Sequence, residues 1–337
     1  MGVPLAAVQI ACGRRHSVAL MEGGFVMTWG IGYFGQLGHG DNASCTNPRL
    51  LHQLEPQQIV SVAAGGYHSV AVTRAGRGFA WGFNRYGQCG VGDCADAVVS
   101  EPRAVALREL RARGEGVRAA ACGRHHCVAV GTGGGVYAWG AGGFGRLGVA
   151  DPPKVAPYPV EVGALRGQRV AEVRVACGEY HNLARTERGA VYSWGYGLDG
   201  QCGHGGAQHL RTPRIVERLK GNPVVQVACG SLWSMAVTST GHLYAWGCAD
   251  GGWTGLQCPP GVLRCVEPGP VAALDSEAGA AASSARTFDS DHIVLLPERV
   301  ASLPGVAVEA VACGGGHTLV LARQRGAAAA GDTADAN

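Results

Sequence analysis

Cysteine and histidine recur in this chain at a fixed spacing, and both residue types serve in metal binding and nucleophilic catalysis. The recurring mark is a small residue, a glycine, two variable residues and a histidine. Its histidines are His16, His68, His126, His181 and His317, and a sixth copy carries Trp233 instead. Either chemistry needs several such side chains to converge on one point. Equivalent positions of successive repeats are held apart, so we predict that each histidine forms hydrogen bonds within its own repeat.

The same recurrence determines how the cysteines are interpreted. The chain has 13 cysteines, and five of them occupy the small position of the mark: Cys12, Cys122, Cys177, Cys229 and Cys313. We predict that these five are buried, reduced and not bonded to one another, because buried cysteine behaves as a small apolar residue. Reduced thiols indicate a reducing compartment, the cytoplasm or the nucleus. No metal, cofactor or catalytic residue is predicted, since the chain carries no Ser/His/Asp set with a nucleophile motif.

A glycine-rich string near the start of the chain matches a dinucleotide-binding fingerprint. The string is Gly30-x-Gly32-x-x-Gly35, and it recurs as Gly195-x-Gly197-x-x-Gly200. The fingerprint requires a following helix, whose N-terminus receives the pyrophosphate. Here the string follows a β-type run and returns with each repeat. It therefore predicts turns in which glycine adopts positive φ angles.

Composition and charge narrow the function classes further. The net charge of +3 over 337 residues is small for a nucleic-acid binder that relies on counterion release. No run approaches the roughly 18 apolar residues of a membrane span, and the N-terminus lacks a signal-peptide pattern. Neither a membrane nor a nucleic acid is predicted as a partner. The 55 glycines favour a fold with many turns.

A second mark, Trp-Gly, keeps the same period as the first. Its tryptophans are Trp29, Trp81, Trp139, Trp194 and Trp246, at intervals of 52, 58, 55 and 52 residues. The first four copies of the small-Gly mark step by the same 52, 58 and 55 residues. Between the marks lie short β-favouring runs separated by glycine turns. Four short strands per repeat predict an all-β fold, a β-propeller of four-stranded blades with five complete units and a partial sixth.

The combination of the two marks is specific. Small-Gly-x-x-His, followed by Trp-Gly-x-Gly-x-x-Gly-Gln-Leu-Gly as at 29–38, resembles the repeat of the regulator of chromosome condensation (RCC1-like) family. The resemblance covers roughly residues 8–322. WD-repeat blades are shorter, at about 40–45 residues, and kelch blades of about 50 residues carry a different mark. The resemblance implies a toroidal propeller, whose usual ring in the family has seven blades.

The unit boundaries follow from the marks. We predict units at about 8–56, 57–110, 117–167, 170–221 and 224–304, a partial unit at 308–322 and a disordered tail at 323–337. The fifth unit contains an insertion at about 251–297, and Cys248, Cys258 and Cys265 near it lack the spacing of a common zinc site. Three arrangements are open: a ring closed with six sectors, an open ring, or part of a longer protein.

The candidate binding residues lie in the turns before the recurring histidines. In a propeller blade these turns share one face with the glycine loops that follow Trp-Gly. Arginine and tyrosine are enriched in binding hot spots. The predicted partner-binding residues are Arg14, Arg15, Tyr67, Arg124 and Tyr180.

Three functions compete. The residues favour a non-catalytic platform that binds a protein partner. The family resemblance implies an alternative, guanine-nucleotide exchange on a small GTPase of the Ran type, for which no exchange residue is matched here. It also implies a UV-B photoreceptor, which clusters tryptophans in the turns before the repeated histidine. In this chain those turns carry arginine, tyrosine, glycine or leucine, so the platform is preferred.

Overall fold

The strands of this protein are grouped into successive antiparallel sheets. The computed structural model describes residues 6–175, 180–249, 252–256, 293–301, 303 and 305–324. These residues form five four-stranded sheets and one two-stranded sheet, each made of strands that are consecutive in the chain. This is the blade arrangement of a β-propeller. The predicted all-β fold, with five complete units and a partial sixth, is confirmed.

Each sheet corresponds to one unit of the sequence repeat. The strands of units 1 to 3 are β1 Ala7–Cys12, β2 His16–Met21, β3 Val26–Gly30 and β4 Cys45–Leu50; β5 Ile59–Ala64, β6 His68–Thr73, β7 Gly78–Phe83 and β8 Val98–Ala104; β9 Val117–Cys122, β10 His126–Gly131, β11 Val136–Ala141 and β12 Val155–Glu161. Those of units 4 to 6 are β13 Val170–Val175, β14 His181–Thr186, β15 Val191–Gly195 and β16 Leu210–Ile215; β17 Val224–Cys229, β18 Trp233–Thr238, β19 Leu243–Cys248 and β20 Ile293–Arg299; β21 Val306–Cys313 and β22 Thr318–Gln324.

Helices are short in this fold. One α-helix, α1 (Arg108–Ala112), lies between units 2 and 3, and 3-10 turns span Glu22–Gly24, His52–Gln57, Gly143–Gly145, Gly163–Leu165 and Glu217–Leu219. None of the helices in the described part of the chain has the length and apolar character needed to cross a membrane. Residues 293–297, assigned to the insertion from sequence, belong to strand β20. Most of the remaining insertion and of the tail lies outside the described residues.

Two glycine positions explain why the marks are so regular. In the first mark, the Gly13 N–H donates to the His16 carbonyl at 2.8 Å and closes the turn between β1 and β2. A Cβ on Gly13 would lie 2.2 Å from Cε1 of the His16 ring, so no larger residue fits. In the second mark, Gly30 has φ +110° and a Cβ there would lie 2.6 Å from the Arg15 carbonyl. Both positions therefore require glycine for close approach.

The core lies between successive sheets. Trp81, Trp139, Trp194 and Trp246 of the Trp-Gly marks are each at most 1% exposed, and Trp29 of unit 1 is half-buried. Each of these tryptophans pairs in register with the residue after the recurring histidine or, in unit 5, after Trp233. The prediction that the five occupy equivalent positions is confirmed. Burying an aromatic ring in each unit stabilises the packing of one sheet on the next.

Among the described residues, the first and last sheets of the array have large apolar side chains exposed to solvent. Val8 and Ile10 of β1 are 59% and 70% exposed, and Leu319 and Leu321 of β22 are 67% and 61% exposed. At the positions of Ile10, Leu319 and Leu321, the flanked sheet of unit 2 has Val62, Val70 and Val72, each at most 2% exposed. The described residues thus leave an apolar surface at each end of the array.

The end units also correct the cysteine prediction. Cys122 and Cys229 are buried as predicted, whereas Cys12 is exposed and Cys313 is half-buried. The Gln9 side chain forms hydrogen bonds with the backbone of unit 2. The Cys12 side chain lies on the opposite face of β1, where no described unit covers it. These four cysteines form no disulfide within the described part of the chain, and Cys177 lies outside it.

Candidate functional site

The recurring histidines connect each unit to the next one. His16 Nε2 lies 2.9 Å from Ser69 Oγ of unit 2, and His181 Nε2 lies 2.9 Å from Ser234 Oγ of unit 5. The other links of this kind are His68 to Cys127, His126 to Asn182 and Trp233 to Thr318. Each acceptor is the residue that follows the recurring histidine or tryptophan of the next unit. We call this repeated contact the clasp. The prediction that the histidines bond within their own repeat is wrong.

The clasp fixes the protonation of its histidines. Ser69 Oγ donates its proton to the Gln36 carbonyl at 3.0 Å, so it must accept the proton of His16 Nε2. Burial, followed by the nearby His68, lowers the pKa of His16 to about 3, and burial lowers that of His181 to about 3. Both rings are therefore neutral near pH 7. A neutral ring with a proton on Nε2 is the form that the clasp requires.

A tryptophan completes the clasp. Trp81 Nε1 donates to the same Gln36 carbonyl at 2.9 Å, from the unit that follows. The equivalent carbonyls of Gln88, Arg146 and Gln201 accept Trp139, Trp194 and Trp246 at 2.9, 3.1 and 2.9 Å. These carbonyls belong to the glycine loops that follow Trp-Gly. Each glycine loop is thus attached to the next unit by two buried donors, which holds the loops of the candidate face in fixed positions.

The structure brings four of the five predicted binding residues together in pairs. Arg14 Nη1 donates to the Tyr67 hydroxyl at 3.1 Å, and Arg124 Nη1 donates to the Tyr180 hydroxyl at 3.3 Å. In both pairs an arginine of one unit reaches the tyrosine of the next. Arg14 and Arg15 are exposed and Tyr67 is half-buried.

Arg124 and Tyr180 are buried, with 4% and 6% of their surfaces exposed. The Arg146 guanidinium lies 4.6 Å from the centre of the Tyr180 ring and 5.3 Å from that of Phe144. Arg146 and Phe144 of the unit 3 loop lie against the Tyr180 ring. Arg124 and Tyr180, predicted from sequence as partner-binding residues, are therefore nearly inaccessible to solvent.

Aromatic side chains from units 1 to 3 meet beside the Arg14–Tyr67 pair. We call the following set the aromatic cluster: Phe34, Tyr67, Phe83, Tyr86 and His125. Phe34 packs edge-on against Tyr67 and Phe83, with ring centres 5.3 and 5.2 Å apart. His125 stacks on Tyr67 at 6.1 Å. The cluster thus joins the turns before the histidines to the glycine loops.

Part of this surface is open to solvent. Phe34 is 37% exposed, and its neighbour Tyr33 is 65% exposed. Arg85, which takes the place of Tyr33 in the loop of unit 2, is exposed as well. We use the name aromatic–basic patch for Arg14, Arg15, Tyr33, Phe34 and Arg85 together with the aromatic cluster below them. Exposed aromatic and arginine side chains on a rigid support are the usual composition of a protein-binding hot spot.

The sequence analysis missed Tyr33, Phe34, Phe83, Tyr86 and Arg85. A signal was present, because an aromatic residue precedes a loop glycine in three units, at Phe34, Tyr86 and Phe144. Such a position is not required for the turn, so its recurrence indicates a role for the side chain. A second aromatic group lies between units 3 and 4: Phe144 lies 5.5 Å from Tyr180 and 5.4 Å from Tyr196 between ring centres.

Comparisons with known proteins agree with this geometry. A family model described as "RCC1-like domain" matches residues 3–220, and one for the RCC1 repeat matches 224–252. The human "E3 ubiquitin-protein ligase HERC2" is 34% identical over 96% of this chain, which spans only 6% of that protein. The "Ultraviolet-B receptor UVR8" of Arabidopsis thaliana is 35% identical over 76% of this chain and 58% of the receptor.

Solved structures show the same architecture. Prp20p from Saccharomyces cerevisiae superposes with a TM-score of 0.74 at 22% identity, covering 95% of this chain and 69% of Prp20p. At that identity the likeness establishes the fold alone. The family match extends over more than half of the chain and coincides with the repeat marks, the blades and the clasps. The chain therefore belongs to the RCC1-like domain family.

Proposed function

We propose that this propeller is a non-catalytic platform that binds a protein partner through the aromatic–basic patch. The observation that carries the proposal is the exposure of Tyr33, Phe34, Arg14 and Arg15 around the half-buried Tyr67, which contacts both Arg14 and Phe34. An exposed aromatic residue on a loop would ordinarily gain stability by packing inward. Here the glycine loops are attached by clasps to the next unit, so Tyr33 is presented outward at 65% exposure.

The rigidity of the patch favours affinity. Association loses about 0.5–1.5 kcal/mol for each mobile side chain that becomes ordered. Phe34 is already held by ring contacts at 5.3 and 5.2 Å, and Arg14 by its bond to Tyr67. These side chains lose little further freedom on binding. The patch contains three arginines, Arg14, Arg15 and Arg85. They indicate a partner surface that carries carboxylates, which arginine binds in a bidentate manner.

The five residues predicted from sequence divide into two roles in this proposal. Arg14, Arg15 and Tyr67 contact the partner directly. Arg124 and Tyr180 are buried, and they hold the adjacent part of the face in place. Truncation of the first group should weaken binding while the protein stays folded. Truncation of the second group should lower stability as well.

The test compares matched substitutions on and off the patch. Tyr33→Ala and Arg14→Ala are paired with Tyr158→Ala on β12 and Arg111→Ala on α1, which are also exposed. Each variant is expressed at endogenous level, and co-purifying proteins are quantified beside thermal stability. Loss of a hot-spot residue typically costs about 2 kcal/mol, a roughly thirtyfold drop in affinity. The patch variants should lose partners at unchanged stability, and the controls should retain them. Equal recovery from all four variants would contradict the proposal.

Nucleotide exchange on a small GTPase of the Ran type is the alternative to be separated from this proposal. Prp20p has been studied for its binding to Gsp1p and histones, but its likeness to this chain concerns the fold. We expect no acceleration of fluorescent GDP release from a Ran-type GTPase at micromolar concentrations of this protein. A dose-dependent acceleration would replace the platform by an exchange factor.

A further inference from the structure

One clasp differs from the others because its acceptor is a cysteine thiol. Between units 2 and 3, His68 Nε2 lies 3.0 Å from Cys127 Sγ, and Cys127 Sγ lies 3.6 Å from Cys122 Sγ. One ligand atom from each of the three side chains falls within 4.8 Å of the others. The residues are buried, with exposures of 0% for His68, 0% for Cys127 and 3% for Cys122.

The fold explains why these three residues meet. Cys122 ends β9 and Cys127 lies opposite it in β10, across a tight turn, so both side chains point to the same side of the sheet. His68 of unit 2 lies beside them because, in each clasp formed by a histidine, the histidine side chain extends into the next unit. In units 2 and 5 the two opposed positions are Ala64 with Ser69 and Cys229 with Ser234. Unit 3 has a thiol at both, which assembles one nitrogen and two sulfur ligands.

We propose that His68, Cys122 and Cys127 form a binding site for a thiophilic divalent cation of the zinc type. Zinc bonds of about 2.3 Å to sulfur and about 2.0 Å to nitrogen, at tetrahedral angles, place two sulfurs about 3.8 Å apart and sulfur and nitrogen about 3.5 Å apart. The present separations of 3.6 and 3.0 Å need widening by only a few tenths of an ångström. The Gln88 carbonyl oxygen, 3.3 Å from Cys127 Sγ, is the oxygen proposed as the fourth ligand, and it also accepts the Trp139 N–H.

The charge balance favours a divalent ion. Binding converts two thiols and one M²⁺ into two metal–thiolate bonds and releases two protons, while the His68 ring proton moves from Nε2 to Nδ1 so that Nε2 coordinates as neutral imidazole. The product has no net charge and can remain in an apolar seam without an unpaired buried charge. Soft thiolate and imidazole ligands exclude magnesium and calcium, which prefer oxygen. Since the site is buried between two units, the cation enters when the units pack together or when they separate transiently.

Repeats of this chain supply the variants for the test. Cys127→Ser introduces the hydroxyl that Ser69 and Ser234 provide at the equivalent position of units 2 and 5. Cys122→Ala introduces the residue that unit 2 has at the equivalent position, Ala64. Both substitutions therefore keep a clasp that the fold already uses. The control is Cys229→Ala, which removes a buried thiol at the equivalent position of unit 5.

The full-length chain is purified under reducing conditions from zinc-supplemented cells, and its metal content is measured by mass spectrometry. The wild type and Cys229→Ala should carry about one equivalent of zinc, and Cys127→Ser and Cys122→Ala less than about a fifth of that. Refolding with Co²⁺ should give the visible absorption of a tetrahedral thiolate site in the first two proteins alone. A wild type that folds without bound metal, or variants that retain the wild-type amount, would overturn the assignment. So would a disulfide between Cys122 and Cys127 in the metal-free protein under these conditions.

Discussion

The clasp predicts that one serine contributes far more to stability than its counterpart in the preceding repeat. Ser69 Oγ accepts from His16 Nε2 at 2.9 Å and donates to the Gln36 carbonyl at 3.0 Å, and its side chain is fully buried. Ser69→Ala removes both bonds. The Gln36 carbonyl keeps the bond from Trp81, so its loss is small. His16 Nε2–H, by contrast, is left buried without its acceptor, which costs about 1–3 kcal/mol.

Ser17 provides the matched control. It occupies the same repeat position in unit 1, pairs with Trp29 in the same register and is half-buried. No described unit precedes it to send a histidine toward it. Ser17→Ala should therefore change stability by less than about 0.5 kcal/mol, as surface substitutions usually do.

Thermal and urea unfolding, followed by circular dichroism at pH 7.5, measure the difference. With an unfolding entropy of about 2.1 cal/mol/K per residue, a loss of about 2 kcal/mol lowers the melting temperature by about 3 °C for a chain of this size. Ser69→Ala should show this shift and Ser17→Ala should not. Equal shifts in the two variants would refute the idea that the histidine stabilises the contact between units.

Two further predictions concern stability. Burial lowers the pKa of His16 and His181 to about 3 in the folded protein. The same histidines have a pKa near 6.5 in the unfolded chain, which therefore binds more protons below pH 6.5. The free energy of unfolding should fall from pH 6.5 toward pH 3 by about 1.4 kcal/mol per histidine and pH unit. Urea midpoints at pH 7.5 and 5.5 test this, and a flat profile between them would contradict it. Gly38 and Gly221 have φ of +82° and +81°, but a Cβ at Gly38 would lie 2.9 Å from the Trp81 ring and one at Gly221 would meet nothing within 4 Å. Gly38→Ala should therefore lower the free energy of unfolding by about 1–2 kcal/mol more than Gly221→Ala in the same assay, because it adds overpacking to an equal backbone strain. Similar losses in the two variants would show that the tryptophan does not restrain the loop.

The fold was accessible from sequence because two marks with one period are hard to produce by any other architecture. Trp81 and its equivalents recur because each ring fills the same space beside the glycine loop of the preceding unit. Glycine is needed at Gly13 and Gly30, because a Cβ would clash with the histidine ring or the backbone. Residues fixed by such local contacts recur visibly and so identify the blade.

The direction of the clasp was not accessible in this way. A repeat alignment shows that His16 and Ser69 belong to different units, but it does not show which side chains cross the boundary. The distance that decides it, 2.9 Å from His16 Nε2 to Ser69 Oγ, depends on how one sheet lies on the next. For the same reason the convergence of His68 with Cys122 and Cys127 is absent from any spacing rule for metal ligands.

Variation between repeats also has two causes that sequence alone does not separate. The residue after the recurring histidine or tryptophan is Ser69, Cys127, Asn182 or Ser234. Each of them contacts the recurring histidine of the preceding unit and donates to the loop carbonyl of that unit. Variation there reflects chemically equivalent solutions to one buried contact. In the turns before the histidine, Arg14 and Arg124 occupy the same position and each bonds a tyrosine of the next unit, but Arg14 is exposed and Arg124 is buried. A variable position is therefore evidence for a binding surface only where the neighbouring loop leaves it uncovered, which is the condition that the aromatic–basic patch of units 1 and 2 meets.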